Sequence, residues 1–370
     1  MGDPIDIYKI LQMKDTKIKV GITQGDINGI GYEVIIKTLM DNRISEMCTP
    51  IIYGSPKVAA YHKKALNIEE FSLNNIKTAQ DSHAKRVNVI NCTDENIKVE
   101  LGKSTSSAGA ASLASLEAAV KDLKEGHIDV LLTAPINKKN IQSKEFVFPG
   151  HTEYLESRLD SGKSLMLLIS EKLRVGVVTG HIPISKVSEN ITEEKIIEKL
   201  KILNHSLIKD FGIRKPRLAV LSLNPHAGDD GLIGSEEKDV IIPAVEKARK
   251  NGIMALGPFP ADGFFGSSDY TKFDAILAMY HDQGLTAFKA LSFDSGVNFT
   301  AGLSKVRTSP AHGTAYAIAG TNVASPESFQ KALYMAIDVY RNRIQFEELS
   351  KDPLKVKVPS NDQHKRQHIK

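Results

Sequence analysis

Short runs of Val, Ile and Leu recur along this chain, and stretches with helical period separate them. The runs are "KIKVGIT" (17–23), "TPIIYGS" (49–55), "RVNVINC" (86–92), "IDVLLTAP" (128–135), "LRVGVVTG" (173–180), "RLAVLSLN" (217–224) and "FDAILAMY" (273–280). Several are apolar without alternation. That is the mark of strands covered on both faces, as in a parallel sheet with helical crossovers. The intervening "SSAGAASLASLEAAVKDLKEG" (106–126) predicts a helix stopped by Gly126. "GSEEKDVIIPAVEKARKNG" (234–252) predicts another, with an acidic start and Pro243 kinking or restarting it. The pattern therefore predicts α/β architecture with mostly parallel strands, and 370 residues allow two cores.

Composition excludes several functions. A formal net charge of +4 is small for this length and argues against nucleic-acid binding. No apolar run approaches the ~20 residues of a membrane span. The N-terminus has no apolar signal segment, and Cys48 and Cys92 form neither a zinc pattern nor a disulfide framework. A cytoplasmic protein with two buried thiols is expected. Residues 1–16 read as an extension, and the basic stretch 351–370 as a frayed, flexible tail.

In parallel α/β sheets, ligands bind beyond the carboxyl ends of the strands. Three apolar runs end in histidine there: "VVTGH" (His181), "LSLNPH" (His226) and "ILAMYH" (His281). Singly, each reads more readily as an ordinary surface or hydrogen-bonded core residue. Together they could meet at one divalent cation and leave positions open for substrate. The loop 223–237 would shape a mouth around His226. "FPGHTEYL" puts His151 and Thr152 at a helix start, either as an anion site or as a capping turn with Thr152 as N-cap. Lys289, Asn298 and Arg307 lie in one polar stretch. The two cations suit a phosphate or carboxylate, or are simply solvated. Asp262 and Asp282 could orient a histidine or move a proton. The early glycines are spaced Gly25-x3-Gly29-x-Gly31, which is not a dinucleotide fingerprint; a tight turn near a ligand fits better.

The segments "GDINGIGYEV", "LLTAPINK", "GHTEYL", "LNPHAG…GSEE…IIP", "GPFPAD", "AMYHDQGL…K" and "GVNFTAGL…RTSPAHGTA", in this order, resemble the 4-hydroxythreonine-4-phosphate dehydrogenase (PdxA) family. The resemblance spans about Ile18 to Ala336. It implies an isocitrate/isopropylmalate dehydrogenase-like fold of two α/β/α domains with the active site in the cleft. Residues 17–135 with 300–348 would form the cofactor side, and 136–299 the metal, substrate and dimerisation side. It implies His181, His226 and His281 as ligands of one divalent metal (Zn, Mg or Co) in a site shared across a homodimer. His151, Thr152, Lys289, Asn298 and Arg307 would bind a small phosphorylated substrate. Lys289, Asp262 and Asp282 would form the catalytic set. The segment beginning His312, Gly313, Thr314, Ala315 would bind NAD(P)+ without a Rossmann fingerprint. The implied reaction oxidises 4-phosphooxy-L-threonine in vitamin B6 (pyridoxal 5'-phosphate) biosynthesis. The rivals are dehydrogenation of a phosphorylated threonate, phosphate acyl transfer on a related fold, and a non-catalytic sensor of phosphorylated metabolites.

Overall fold

A computed structural model describes residues 17–352 except 95, 160 and 161. The expectations for 1–16 and for 353–370 lie outside the described residues. Twelve strands form one sheet: β1 Ile18–Thr23, β2 Cys48–Gly54, β3 Asn74–Ile76, β4 Asn88–Asn91, β5 Val130–Thr133, β6 Leu165–Ile169, β7 Arg174–Thr179, β8 Arg217–Leu221, β9 Met254–Phe259, β10 Ala275–Tyr280, β11 Val297–Ala301 and β12 Val306–Pro310. Their order is β3-β4-β2-β1-β5-β12-β11-β6-β7-β10-β8-β9. All pairings are parallel except the three made by β6 and β11. Those antiparallel pairings turn the second group of strands over, so β7, β10, β8 and β9 run opposite to β1, β2, β5 and β12.

The seven apolar runs are all strands. They are buried on both faces, as their lack of alternation requires. In β5, Val130 and Leu132 enter one core layer while Leu131 enters another; in β10, Leu277 and Ile276 divide the same way. One layer is continuous beneath both groups of strands, from Val20 through Phe299 to Leu277. The opposite face carries two separate clusters, one around Leu116, Leu131 and Tyr154, the other around Val175, Ile276 and Phe288.

The helix Ser106–Glu125 starts where Thr105 Oγ1 accepts from Ala108 N at 3.2 Å, and ends at Gly126, whose φ of 79° suits a residue without Cβ. Its serines tie it to the sheet: Ser112 donates to Gly25 O at 2.9 Å and Ser115 to Tyr53 O at 2.5 Å. The helix expected over 234–252 is in two parts. A π-helical turn at Glu237–Ile241 precedes the α-helix Ile242–Lys250, with Pro243 in the first α-turn. Proline has no N–H to donate, so the regular ladder cannot pass through it. Cys48 is buried, Cys92 half-buried, and both are free. Among the described residues no helix is long and apolar enough to cross a membrane.

Candidate active site

Strands β7, β10 and β8 are neighbours in the sheet, so the strand ends that lead to His181, His281 and His226 are adjacent, with that of His281 in the middle. Two side chains bind these strand ends together. Thr179 Oγ1 donates to Met279 O at 2.8 Å, joining β7 to β10. Gln283 joins β10 to β8: its Nε2 donates to Ser222 O at 2.6 Å, and its Oε1 accepts from Met279 N at 2.8 Å. Neither residue stood out in the sequence, because such clamps depend on strand adjacency.

The rings of His181 and His281 lie 5.6 Å apart, centroid to centroid. His281 Nδ1 pairs with Asp282 Oδ1 at 2.7 Å, which leaves Nε2 as the free lone pair. Desolvation, with Lys138 nearby, holds His181 below the usual imidazole value. His226 is exposed and does not line the cavity that His181 and His281 enter. Within one chain the three imidazoles do not bring ligand atoms within 4.8 Å of one another. His226 opens a run of six residues with positive φ, His226 to Gly231. Non-glycine residues pay about 1 kcal/mol or more each in that region. Buried Glu237 supports the run, its Oε1 accepting from Leu223 N and Asn224 N, both at 2.7 Å. The "GSEE" segment therefore holds the histidine loop as well as starting a helix.

A cavity of about 240 Å³ opens where the core of one face divides. It draws on the carboxyl ends of both strand groups: Thr133 and Ala134 at β5, Pro310 and Ala311 at β12, His181 after β7 and His281 after β10. Arg307 on β12 is 2 % exposed and lines it. The guanidinium donates to Thr133 Oγ1 through Nε (3.1 Å) and Nη2 (2.7 Å), and to Thr300 Oγ1 through Nη1 (3.2 Å). Among the described residues no carboxylate forms an ion pair with it, and desolvation pushes its pKa down to about 9. A buried cation held only by hydroxyls is costly until an anion arrives. Beside it, the buried atoms His151 Nε2 and Asn298 Oδ1 have no hydrogen-bond partner. Burial and the Arg307 and Lys138 charges hold His151 well below its ordinary value, so the ring is neutral.

His151 is the first residue of the helix His151–Arg158, and Gly150 is the N-cap, with no side-chain cap bond. The alternative of Thr152 as N-cap is therefore not what forms; Thr152 lines the cavity with Lys289. His312 and Gly313 line it too, and His312 Nε2 is another buried atom without a partner. Thr314 and Ala315 lie outside the lining. Thr314 instead meets the early glycine turn, its carbonyl accepting from Ile30 N at 3.0 Å. A Cβ on Gly29 would sit 2.6 Å from that oxygen, so Gly29 serves this close approach. Asp26 in the same turn accepts from Tyr316 OH (2.7 Å) and Asn140 Nδ2 (2.8 Å). Asp262, on the helix Ala261–Gly266, is exposed and does not line the cavity; Asp282 reaches it only through His281.

The family described as pyridoxal phosphate biosynthetic protein PdxA matches residues 46–336. The chain is 59% identical to a 4-hydroxythreonine-4-phosphate dehydrogenase of Bacteroides thetaiotaomicron over 333 residues, 90% of this chain and 91% of that one. It is 37% identical over 324 residues, 86% of this chain and 97% of the relative, to an Oceanobacillus iheyensis protein provisionally described as a D-threonate 4-phosphate dehydrogenase. The crystal structure of 4-hydroxythreonine-4-phosphate dehydrogenase from Klebsiella pneumoniae superposes with a TM-score of 0.76 at 31% identity, covering 88% of this chain and all of that one.

Proposed function

The chain belongs to the PdxA family and is an oxidoreductase of that family, and from this premise we propose that it oxidises the C3 hydroxyl of 4-phosphooxy-L-threonine. The product, 2-amino-3-oxo-4-phosphooxybutanoate, is a β-keto acid that loses CO2 to give 3-amino-2-oxopropyl phosphate. The observation that carries this reading is Arg307, a buried guanidinium with no carboxylate partner, in a cavity that also receives His181 and His281. Arg307, Asn298, His151, Thr152 and Lys289 would hold the phosphate and fix the substrate's register. Orientation of this kind supplies much of the rate in such enzymes.

His181, His226 and His281 suit a divalent ion: three imidazoles from adjacent strand ends, one oriented by a carboxylate. Bound there, a cation lowers the pKa of a nearby hydroxyl and polarises a carbonyl. NAD(P)+ would lie along His312–Ala315, where the unpartnered His312 Nε2 offers it a polar contact. Asp282 would act as a positioning residue on His281. Asp262 and Lys289 complete the proposed catalytic set; Lys289 is supported by its place in the cavity lining, and Asp262 rests on the motif alone.

Exposed Ile182, Ile184, Leu232 and Ile233 flank His181 and the His226 loop. They support a homodimer whose second copy covers this face and completes the site. The reading also takes 17–135 with 300–348 and 136–299 as two domains of one continuous sheet, and the free thiols as those of a cytoplasmic protein. The phosphothreonate alternative keeps everything but the amino group. Glu153, the one carboxylate in the lining, favours a substrate with an ammonium.

The test is NADH formation from 4-phosphooxy-L-threonine, with and without chelator. No NADH with metal present rules out the reaction, and full activity after chelation rules out the metal. A faster turnover of 4-phosphothreonate selects the alternative.

A further inference from the structure

We propose that Lys138 binds the substrate's carboxylate, beside the reacting carbon and apart from the phosphate. The proposal rests on the functional reading above and extends it to a residue that reading leaves unused.

Lys138 closes the "LLTAPINK" segment just after β5 and lines the cavity. Its ammonium donates to His181 Nε2 at 3.3 Å. It also lies against the start of the His151 helix: a Cβ on Gly150 would be 3.6 Å from Lys138 Cε and 4.0 Å from Nζ. The lining thus carries Lys138, Lys289 and Arg307 against Glu153 alone. Among the described residues, none of the three cations pairs with a carboxylate. Gathering like charges without partners is unfavourable in the empty protein and is kept where a ligand neutralises them.

One phosphate does not account for the arrangement, because the cations are separated in space. Lys138 Nζ is 3.3 Å from His181 Nε2, while the Arg307 guanidinium is held by Thr133 Oγ1 and Thr300 Oγ1, at β5 and β11. Lys138 therefore stands at the His181–His281 end, and Arg307 at the end with Asn298. A phosphorylated 3-hydroxy acid carries its two anionic groups on opposite sides of the hydroxyl carbon. With phosphate at Arg307 and the hydroxyl at the histidines, its carboxylate falls to Lys138. An ammonium suits this as a point charge on a flexible stem that can leave His181 for the ligand.

The test compares 3-phosphoglycerate with glycerol 3-phosphate, a pair that differs in the carboxylate, and with inorganic phosphate. Each is titrated into the metal-loaded wild type, Lys138→Met and Lys138→Arg. Lys138→Met should weaken 3-phosphoglycerate and raise KM for 4-phosphooxy-L-threonine about 10- to 100-fold, the worth of one hydrogen bond to a charged group. Glycerol 3-phosphate and inorganic phosphate should bind as before, and Lys138→Arg should recover most of the loss. Equal weakening of all three ligands, or of none, overturns the proposal. If wild type binds the pair differently but does not oxidise 4-phosphooxy-L-threonine, the functional reading fails while Lys138 is still tested by the binding data.

Discussion

The carboxylate of Asp282 meets His281 Nδ1 at 2.7 Å while the Asp282 side chain stays 81% exposed. An exposed residue in such a contact contributes to the neighbour's orientation far more than to the core. Asp282→Ala should therefore lower divalent-metal affinity or turnover about 10- to 100-fold. Its cost in stability should be about 0.3–1 kcal/mol, from the lost acidic residue in the first turn of the helix His281–Ser292. Calorimetric metal titration and thermal melts separate the two effects. Unchanged metal affinity would remove Asp282 from the site.

Arg307 sets function against stability. Arg307→Met removes a buried, unpaired charge and keeps comparable bulk. The ligand-free protein should gain stability, by about 1–4 kcal/mol if it follows buried ions replaced by apolar groups. Inorganic phosphate should raise the Tm of the wild type and leave that of the variant unchanged. A destabilised variant that still responds to phosphate would show that Arg307 is structural.

The Gly29–Thr314 approach predicts a defect in the cofactor contacts. Gly29→Ala places a Cβ 2.6 Å from Thr314 O, and backbone must move. A cost of about 1–3 kcal/mol is expected from overpacking. KM for NAD(P)+ should rise by more than KM for the phosphorylated substrate. Equal rises would mean that His312–Ala315 does not hold the cofactor.

Acid should weaken the fold through neutral histidines. His62 is buried, its Nε2 is 2.8 Å from Ile27 O, and desolvation lowers its pKa. The unfolded chain takes up a proton near the ordinary value of about 6.5, while the folded chain does so only lower. In that window the unfolded state binds more protons, so stability falls as pH falls from about 6.5 toward the lowered value. His151 and His312, also lowered by burial, add to the slope. His62→Gln should flatten the slope by up to about 1.4 kcal/mol per pH unit in urea unfolding experiments. An unchanged slope would show that His62 does not titrate between the two states.

Much of this architecture was legible before any coordinates. Seven strands announce themselves because burial on both faces demands continuous apolar residues, and Gly126 announces the end of its helix. Strands β3, β6, β9, β11 and β12 escaped notice. β11 and β12 read as "VNFTA" and "VRTSP", because polar side chains, the proposed site residues Asn298 and Arg307 among them, interrupt their apolar pattern. Their polar residues reached the candidate set as residues of a polar stretch. That they lie on adjacent strands, with Asn298 paired across to Ser309, is a matter of register.

Local chemistry and the order of the motifs, both present in the linear chain, determined the α/β class, the family and the histidines at strand ends. Only the folded arrangement decided which of those groups share a space. Strand order sets the ends of β7, β10 and β8 side by side, yet only His181 and His281 enter the cavity that lies by the carboxyl ends of two groups of strands. It also decided that Arg307 is buried with no ion pair among the described residues and that Lys138 stands beside His181. Desolvation and distance make those groups reactive toward an anion, and neither is a property of residues one after another.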